Sequence, residues 1–197
     1  MQLLIASNNK HKVEEIKSIL SPYFTDILTL RDAGIDVDVA EDGVTFEENA
    51  AIKAHAILSL STADAVLADD SGLMVDALGG APGVYSARFA GDGHNDAANN
   101  AKLLEVMRDV PPAQRGCRFV TAVCLSKRGE ADICARGEVE GELLNTPQGN
   151  NGFGYDPLFY YAPFNKTFAQ LTADEKNAVS HRKRALTALC EKLDKLT

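Results

Sequence analysis

The reactive side chains of this 197-residue chain gather in five short segments. In Asp69-Asp70-Ser71-Gly72 two adjacent carboxylates follow the apolar run Ala65-Val66-Leu67-Ala68. The carboxyl end of a buried strand is where α/β folds bind ligands. A carboxylate there can hold a divalent cation, activate a water, or do both. Neighbouring side chains on an extended backbone point to opposite faces, so one of the pair should face a site. The segment lacks the DxDxT spacing of aspartyl-phosphate enzymes, so neither Asp reads as a covalent nucleophile. The competing reading is a structural Asp-Ser-Gly turn.

The loop Ser7-Asn8-Asn9-Lys10-His11-Lys12 lies between Leu3-Leu4-Ile5-Ala6 and a stretch with Val13, Ile16, Ile19 and Leu20 at helical spacing. Free N–H groups at a helix start favour an anion, and Lys10 and Lys12 add charge. With no glycine the loop is not a Walker A motif, and a plain polar turn stays open as an alternative. Asn49 and Lys53 share one helix face, four residues apart. Lys53 is the single Lys or Arg against eleven acidic residues from Asp32 to Asp76, so it reads as a phosphate contact or as a balancing charge. Glu41, just ahead, offers magnesium a second hard oxygen, and one or two carboxylates are what that ion commonly takes.

Two further segments suit a nucleobase. In Gly149-Asn150-Asn151-Gly152-Phe153-Gly154-Tyr155-Asp156-Pro157, glycines permit close approach and Phe153 and Tyr155 offer stacking faces. Asp156 or main-chain groups would read the base edge, unless this is only a flexible loop. Lys176-Asn177-Ala178-Val179-Ser180-His181-Arg182 sets donors near the start of a closing helix, suited to base oxygens or phosphates. Its plainer reading is a basic, capped helix start.

The elements that must position these groups alternate in type. Strands are expected at Leu3–Ala6 and at Ala65–Ala68, the latter ending at Asp69. Helices are expected after Lys12, after the capping box Thr45-Phe46-Glu47-Glu48, and from about Asp96 to Met107. Residues 117–126 and 133–143 read as two strands joined by Lys127-Arg128-Gly129-Glu130, and Leu158–Tyr161 as another. A second capping box, Thr172 to Glu175, precedes a closing helix with Ala185, Leu186, Leu189 and Leu193. No repeat or linker interrupts residues 1–197, so the expectation is one α/β domain with a mixed sheet.

Composition narrows the function. With 45% hydrophobic and 24% charged residues the chain has the balance of a globular protein. No apolar run approaches the roughly 20 residues needed to span a bilayer, and no signal peptide is visible, so a cytoplasmic, membrane-free protein is expected. A net charge of −8 argues against nucleic acid as a partner. The four cysteines lack paired metal spacing and read as reduced core residues. Six Lys or Arg from Lys176 onward, against Glu191 and Asp194, contrast with the acidic 32–76 stretch.

In order and over nearly the whole chain, these segments resemble the inosine triphosphatase-like (XTP/dITP pyrophosphatase) family. The resemblance rests on Ser7-Asn8-Asn9-x-x-Lys12, Phe46-x-Glu48-Asn49-Ala50-x-x-Lys53-Ala54 and Ala68-Asp69-Asp70-Ser71-Gly72-Leu73. It continues through Gly79-Gly80-Ala81-Pro82-Gly83-Val84-Tyr85-Ser86-Ala87-Arg88, Gly152-Phe153-Gly154-Tyr155-Asp156-Pro157 and Ser180-His181-Arg182. Asn8 stands where many relatives have Gly, and Asn150-Asn151 where another Gly is frequent.

That resemblance implies two lobes around a long mixed twisted β-sheet with a central active-site cleft, in a homodimer. It implies hydrolysis of ITP, dITP or XTP at the α-phosphorus to monophosphate and pyrophosphate, clearing them from the nucleotide pool. Asp70 would be the catalytic base and, with Glu41, would hold Mg2+, with Mn2+ second. Ser7, Asn8, Asn9, Lys10, His11, Lys12, Lys53 and Ser71 would grip the triphosphate. Phe153, Gly154, Tyr155, Asp156, Lys176, His181 and Arg182 would form the base pocket. The rival functions are a pyrophosphatase for other modified nucleotides, pyrimidines included, and a non-catalytic nucleotide sensor.

Overall fold

Leu3, Leu4 and Ile5 are apolar in succession, a pattern that suits a strand covered on both faces. In the computed structural model, which describes residues 1–196 apart from the His11 side chain, they lie on strand β1 (Gln2–Ile5). Each is at most 1% exposed. Their alternation sorts them: Leu3 and Ile5 pack with Ala65 and Leu67, while Leu4 packs with Val66 and Ala68 on the other side. Helices supply both covers. Ile16 and Leu20 of α1 (Lys10–Leu20) join the first cluster, with Ala185, Leu186 and Leu189 of α5 (His181–Asp194). Ala54, Ile57 and Leu58 of α2 (Phe46–Leu60) join the second.

Among the described residues the sheet has seven strands in the order β2-β1-β3-β4-β5-β6-β7. The remaining strands are β2 (Asp26–Thr29), β3 (Ala65–Val75), β4 (Gly116–Lys127), β5 (Ile133–Leu143), β6 (Phe159–Tyr161) and β7 (Lys166–Thr167). β1 runs parallel to β2 and β3, whereas β6 runs antiparallel to β5 and β7, so the sheet is mixed and the chain α/β. Two compact units share the chain: Met1–Asp70, Thr121–Gly137 and the segment from Arg182 form the first, and Ser71–Val120 with Glu138–His181 the second.

The second unit has its own core. Leu73 and Val75 of β3, Leu103 of α3 (Asp96–Val106), Met107 and a set of rings at Phe119, Phe159 and Phe168 fill it. Phe119 and Phe159 sit 4.6 Å apart, as do Phe159 and Phe168, in tilted arrangements suited to aromatic packing. Arg115 is buried in this unit, its guanidinium donating to the carbonyls of Leu143 and Met107.

Four features depart from the sequence reading. β3 does not stop at Asp69 but runs on through Asp70-Ser71-Gly72 to Val75, because tertiary partners satisfy both carboxylates on the strand. β2 and β7, of four and two residues, were too short to show a periodicity. The closing segment is two helices, α4 (Ala173–Val179) behind the Thr172 capping box and then α5, because Ser180 is extended at φ −64°, ψ 152°. Finally, Cys124 and Cys134 are not reduced but disulfide-bonded, the hairpin turn bringing their Cα atoms within 4.1 Å across ten residues of sequence. Cys117 and Cys190 are free.

Candidate active site

In the first unit, the β1–α1 loop is held by its own side chains. Asn9 Oδ1 accepts from the Lys12 backbone N–H at 3.2 Å, a helix-capping bond, and Ser7 Oγ accepts from Asn9 N–H. This places Lys12 one turn into α1, where its ammonium reaches Asp69 Oδ2 at 2.7 Å. Lys10 and Asn8 are exposed beside it. His11 belongs to the same expected set, but its side chain falls outside the described residues.

Asp69 is the hub. Besides Lys12 it lies 3.7 Å from Arg182 Nε, and Arg182 in turn donates to Glu15 on α1 at 3.1 Å. The Asp69 side chain is only 2% exposed. Burial opposes its charge, yet Lys12, Arg182 and Lys53 together hold its carboxyl well below the ordinary carboxylate range. The Lys12 pKa is lowered as well, but here the shift disfavours the charged form. Burial outweighs the attraction of Asp69, and Arg182 adds repulsion, so its pKa is lowered. For Lys53 burial again pulls downward, but Asp69 and Glu41 prevail and raise it.

Lys53 stands on α2, one turn beyond Asn49. Its ammonium pairs with Glu41 and donates to the backbone carbonyl of Asp69 at 3.0 Å. Asp70, next on β3, points to the opposite side of the strand, and its Oδ2 accepts from Asn49 Nδ2 at 3.0 Å. The alternation expected of adjacent carboxylates therefore turns Asp69 to Lys12 and Arg182 and Asp70 to the Asn49 amide, with the charge of Lys53 felt by both. Ser7, Lys12, Glu41, Lys53 and Asp69 line a hollow of about 200 Å³.

The donors bear on a metal. Among the described residues no group of three or more His, Cys, Asp or Glu side chains is arranged to hold one. Glu41 and Asp70 are hard oxygen donors, and a two-carboxylate set suits an ion that draws its other ligands from water and phosphate. The Lys53 ammonium already holds positive charge against Glu41.

In the second unit, the 152–156 turn is built around Asp156, whose carboxylate accepts from Phe153 N–H at 2.9 Å and pairs with Lys176 of α4. A Cβ on Gly152, where φ is +77°, would fall 2.0 Å from Asp156 Oδ2, so only glycine fits. Lys176 also lies 4.6 Å over the Phe153 ring, which is 42% exposed. Gly154 donates to Asp96 of α3. Tyr155 differs from the expectation of a second stacking face: its ring packs in the core and its hydroxyl donates to Ser86 O at 2.8 Å. His181 is likewise buried, stacked 5.0 Å from Phe119. Ser71 follows Asp70 on β3, half-buried.

Arg182, expected in the base pocket, has its guanidinium beside Asp69 and Glu15 in the first unit. Glu15 carries no signal in the sequence, because 167 residues separate it from Arg182 and no local pattern marks the pair. Asn49 was visible through its four-residue spacing from Lys53, but not its bond to Asp70.

Comparison with known proteins bears on this constellation. A profile described as the Ham1 family matches residues 3–192. The chain is 52% identical to a dITP/XTP pyrophosphatase of Clostridium perfringens, over 98% of this chain and 97% of that protein. It also superposes on the Staphylococcus aureus Ham1 protein with a TM-score of 0.90 at 39% identity, covering 100% of each chain. A nucleoside-triphosphatase/dITP/XTP pyrophosphatase structure from Mycobacterium abscessus matches with a TM-score of 0.80 at 43% identity, over 96% and 98% of the two chains.

Proposed function

The chain belongs to the Ham1 family, and on that footing we propose that it hydrolyses non-canonical purine nucleoside triphosphates, dITP, ITP and XTP, to monophosphate and pyrophosphate. The observation that carries the reading is the pair Asp69–Asp70, one carboxylate committed to cations and its neighbour held by an amide. Asp70 is the general base. It takes a proton from a water whose oxygen forms a bond to the α-phosphorus while the bond from that phosphorus to the bridging oxygen breaks, and pyrophosphate leaves with its charge. Lys12, Lys53 and the Ser7–Asn9 loop, with Lys10, His11 and Ser71, grip the triphosphate.

Glu41 and Asp70 are the residues that would hold Mg2+, with Mn2+ as the substitute that hard oxygen ligands admit. When bound, that ion offsets triphosphate charge and the charge developing on the leaving group. Phe153 offers the base a stacking face, while the backbone of Gly154 and Tyr155, with Lys176, Asp156 and His181, orders the segment that reads it. Arg182, which we place with His181 in the base pocket, also braces the phosphate grip through Asp69.

Donors aimed at a 6-oxo oxygen select against ATP, whose amino group leaves them unpaired, and such mismatches discriminate strongly. The proposal takes residues 1–197 as one catalytic domain, acting as a homodimer on the cytoplasmic nucleotide pool. Among the described residues no helix is long and apolar enough to cross a membrane.

Incubation with Mg2+ and each of dITP, ITP, XTP, ATP, GTP and dUTP, with separate assays of pyrophosphate and orthophosphate, tests the reading. Pyrophosphate from dITP, ITP and XTP, with ATP slow, supports it. Orthophosphate, preference for dUTP, or no turnover overturns it. Light scattering on the eluted protein checks the dimer.

A further inference from the structure

α2 buries six residues, and five of them are apolar; the sixth is Asn49, 1% exposed. An amide in that setting is costly unless both its ends are bonded. Both are. Nδ2 donates to Asp70 Oδ2 at 3.0 Å, and Oδ1 accepts from the Gly43 N–H at 2.8 Å. The amide orientation is fixed by its partners, since a backbone N–H only donates and a carboxylate only accepts.

The approach on the Gly43 side is close. A Cβ at residue 43 would lie 2.7 Å from Asn49 Oδ1 and 2.8 Å from Glu48 Cβ, so the contact depends on glycine. The same turn is fastened by Glu48, whose Oε2 accepts from Val44 and Thr45 N–H at 2.8 and 3.1 Å. One side chain thus joins β3 at Asp70 to the turn that follows Glu41 by two residues.

The geometry points to Asn49 as a positioning residue that fixes the Asp70 carboxylate and the Glu41 segment relative to one another. This rests on the reading of Asp70 as base and of Glu41 and Asp70 as metal donors. Asn49 acts through Asp70 and the Gly43 turn rather than on the substrate. It fixes one oxygen of Asp70 against rotation, and it sets how far Glu41 stands from that carboxylate. Lys12 and the β1–α1 loop are held by other contacts, so nucleotide binding should survive its loss.

Asn49→Asp keeps the side-chain shape and the acceptor for Gly43 but sets a carboxylate oxygen against Asp70. Asn49→Leu keeps the volume and removes both bonds. With dITP and Mg2+, each variant should lose about 10- to 100-fold in kcat, the weight of a hydrogen bond to a charged group, with KM within about threefold. In Asn49→Leu, the Mn2+ dissociation constant read by electron paramagnetic resonance should rise several-fold. A merely structural role would lower the melting temperature and leave kcat per folded molecule and Mn2+ binding unchanged, and that result overturns the assignment. Should one variant fail to fold, the other decides. Wild type is the control: if it releases no pyrophosphate the functional reading fails, whereas an active wild type beside unimpaired variants removes only the role of Asn49.

Discussion

The two units treat charge in opposite ways. In the first, Lys12, Lys53, Arg182, Asp69, Glu41 and Glu15 form ion pairs that link β1–α1, α2, β3 and α5. In the second, the half-buried pair Lys176–Asp156 pins a glycine turn beneath an exposed ring, pairs such as Arg118–Asp76 and Lys166–Glu175 lie nearer the surface, and the core is aromatic. Taking ions from water is expensive unless each is paired, so a cluster of cations built to receive phosphate needs carboxylates to stand with it. Asp69 serves that purpose, and Asp70, which accepts from the Asn49 amide, is the carboxylate we propose for the chemistry. The surface proposed for a flat base has no such requirement and is made from rings and backbone.

This contrast implies that damage in the first unit slows turnover or unfolds the protein, while damage in the second weakens substrate selection. The largest effect is expected for Asp70→Asn, which should lower kcat by about a thousandfold or more through loss of the general base. Calorimetric nucleotide affinity without metal should stay within a few-fold of wild type, and a parallel loss of binding would place Asp70 in the substrate grip rather than in proton transfer.

Next comes Asp69→Asn. Leaving Lys12 and Arg182 without their buried carboxylate should cost about 3 kcal/mol of stability, measured by urea unfolding at pH 7. Because the folded pKa of Asp69 is depressed, its contribution is present above the unfolded carboxylate value of about 4 and is lost as pH falls further. The stability gap between wild type and Asp69→Asn should therefore be constant from pH 7 to pH 5 and shrink below pH 4. A gap that widens in acid would contradict the ion-pair account.

The smallest effect belongs to the second unit. Phe153→Ala removes an exposed stacking face and the ring beneath Lys176, and should raise KM for dITP about tenfold, as base–aromatic stacking suggests, with kcat little changed. A large drop in kcat with KM unchanged would move Phe153 from the base to the chemistry.

The same contrast explains how much could be read from sequence. Local signals were legible: the unbroken apolar run of β1, the capping boxes at Thr45 and Thr172, and the turn at Lys127–Glu130 each depend on residues within a few positions. The extension of β3 through Asp69-Asp70-Ser71-Gly72 was not, because a polar run looks like a stop until Lys12, Arg182 and Asn49 supply its partners. Those partners lie between 21 and 113 positions away, and the Glu15–Arg182 pair spans 167. Tyr155 and Phe153 look alike in sequence, yet one ring went to the core and the other to solvent, which packing alone decides.

The central claim is that water assisted by Asp70 attacks the α-phosphorus. Turnover of dITP in water enriched in oxygen-18, with both products resolved by mass spectrometry, tests it most directly. The account predicts one labelled oxygen in the deoxyinosine monophosphate and none in the pyrophosphate. Label in pyrophosphate, or labelled orthophosphate beside a diphosphate, would contradict it.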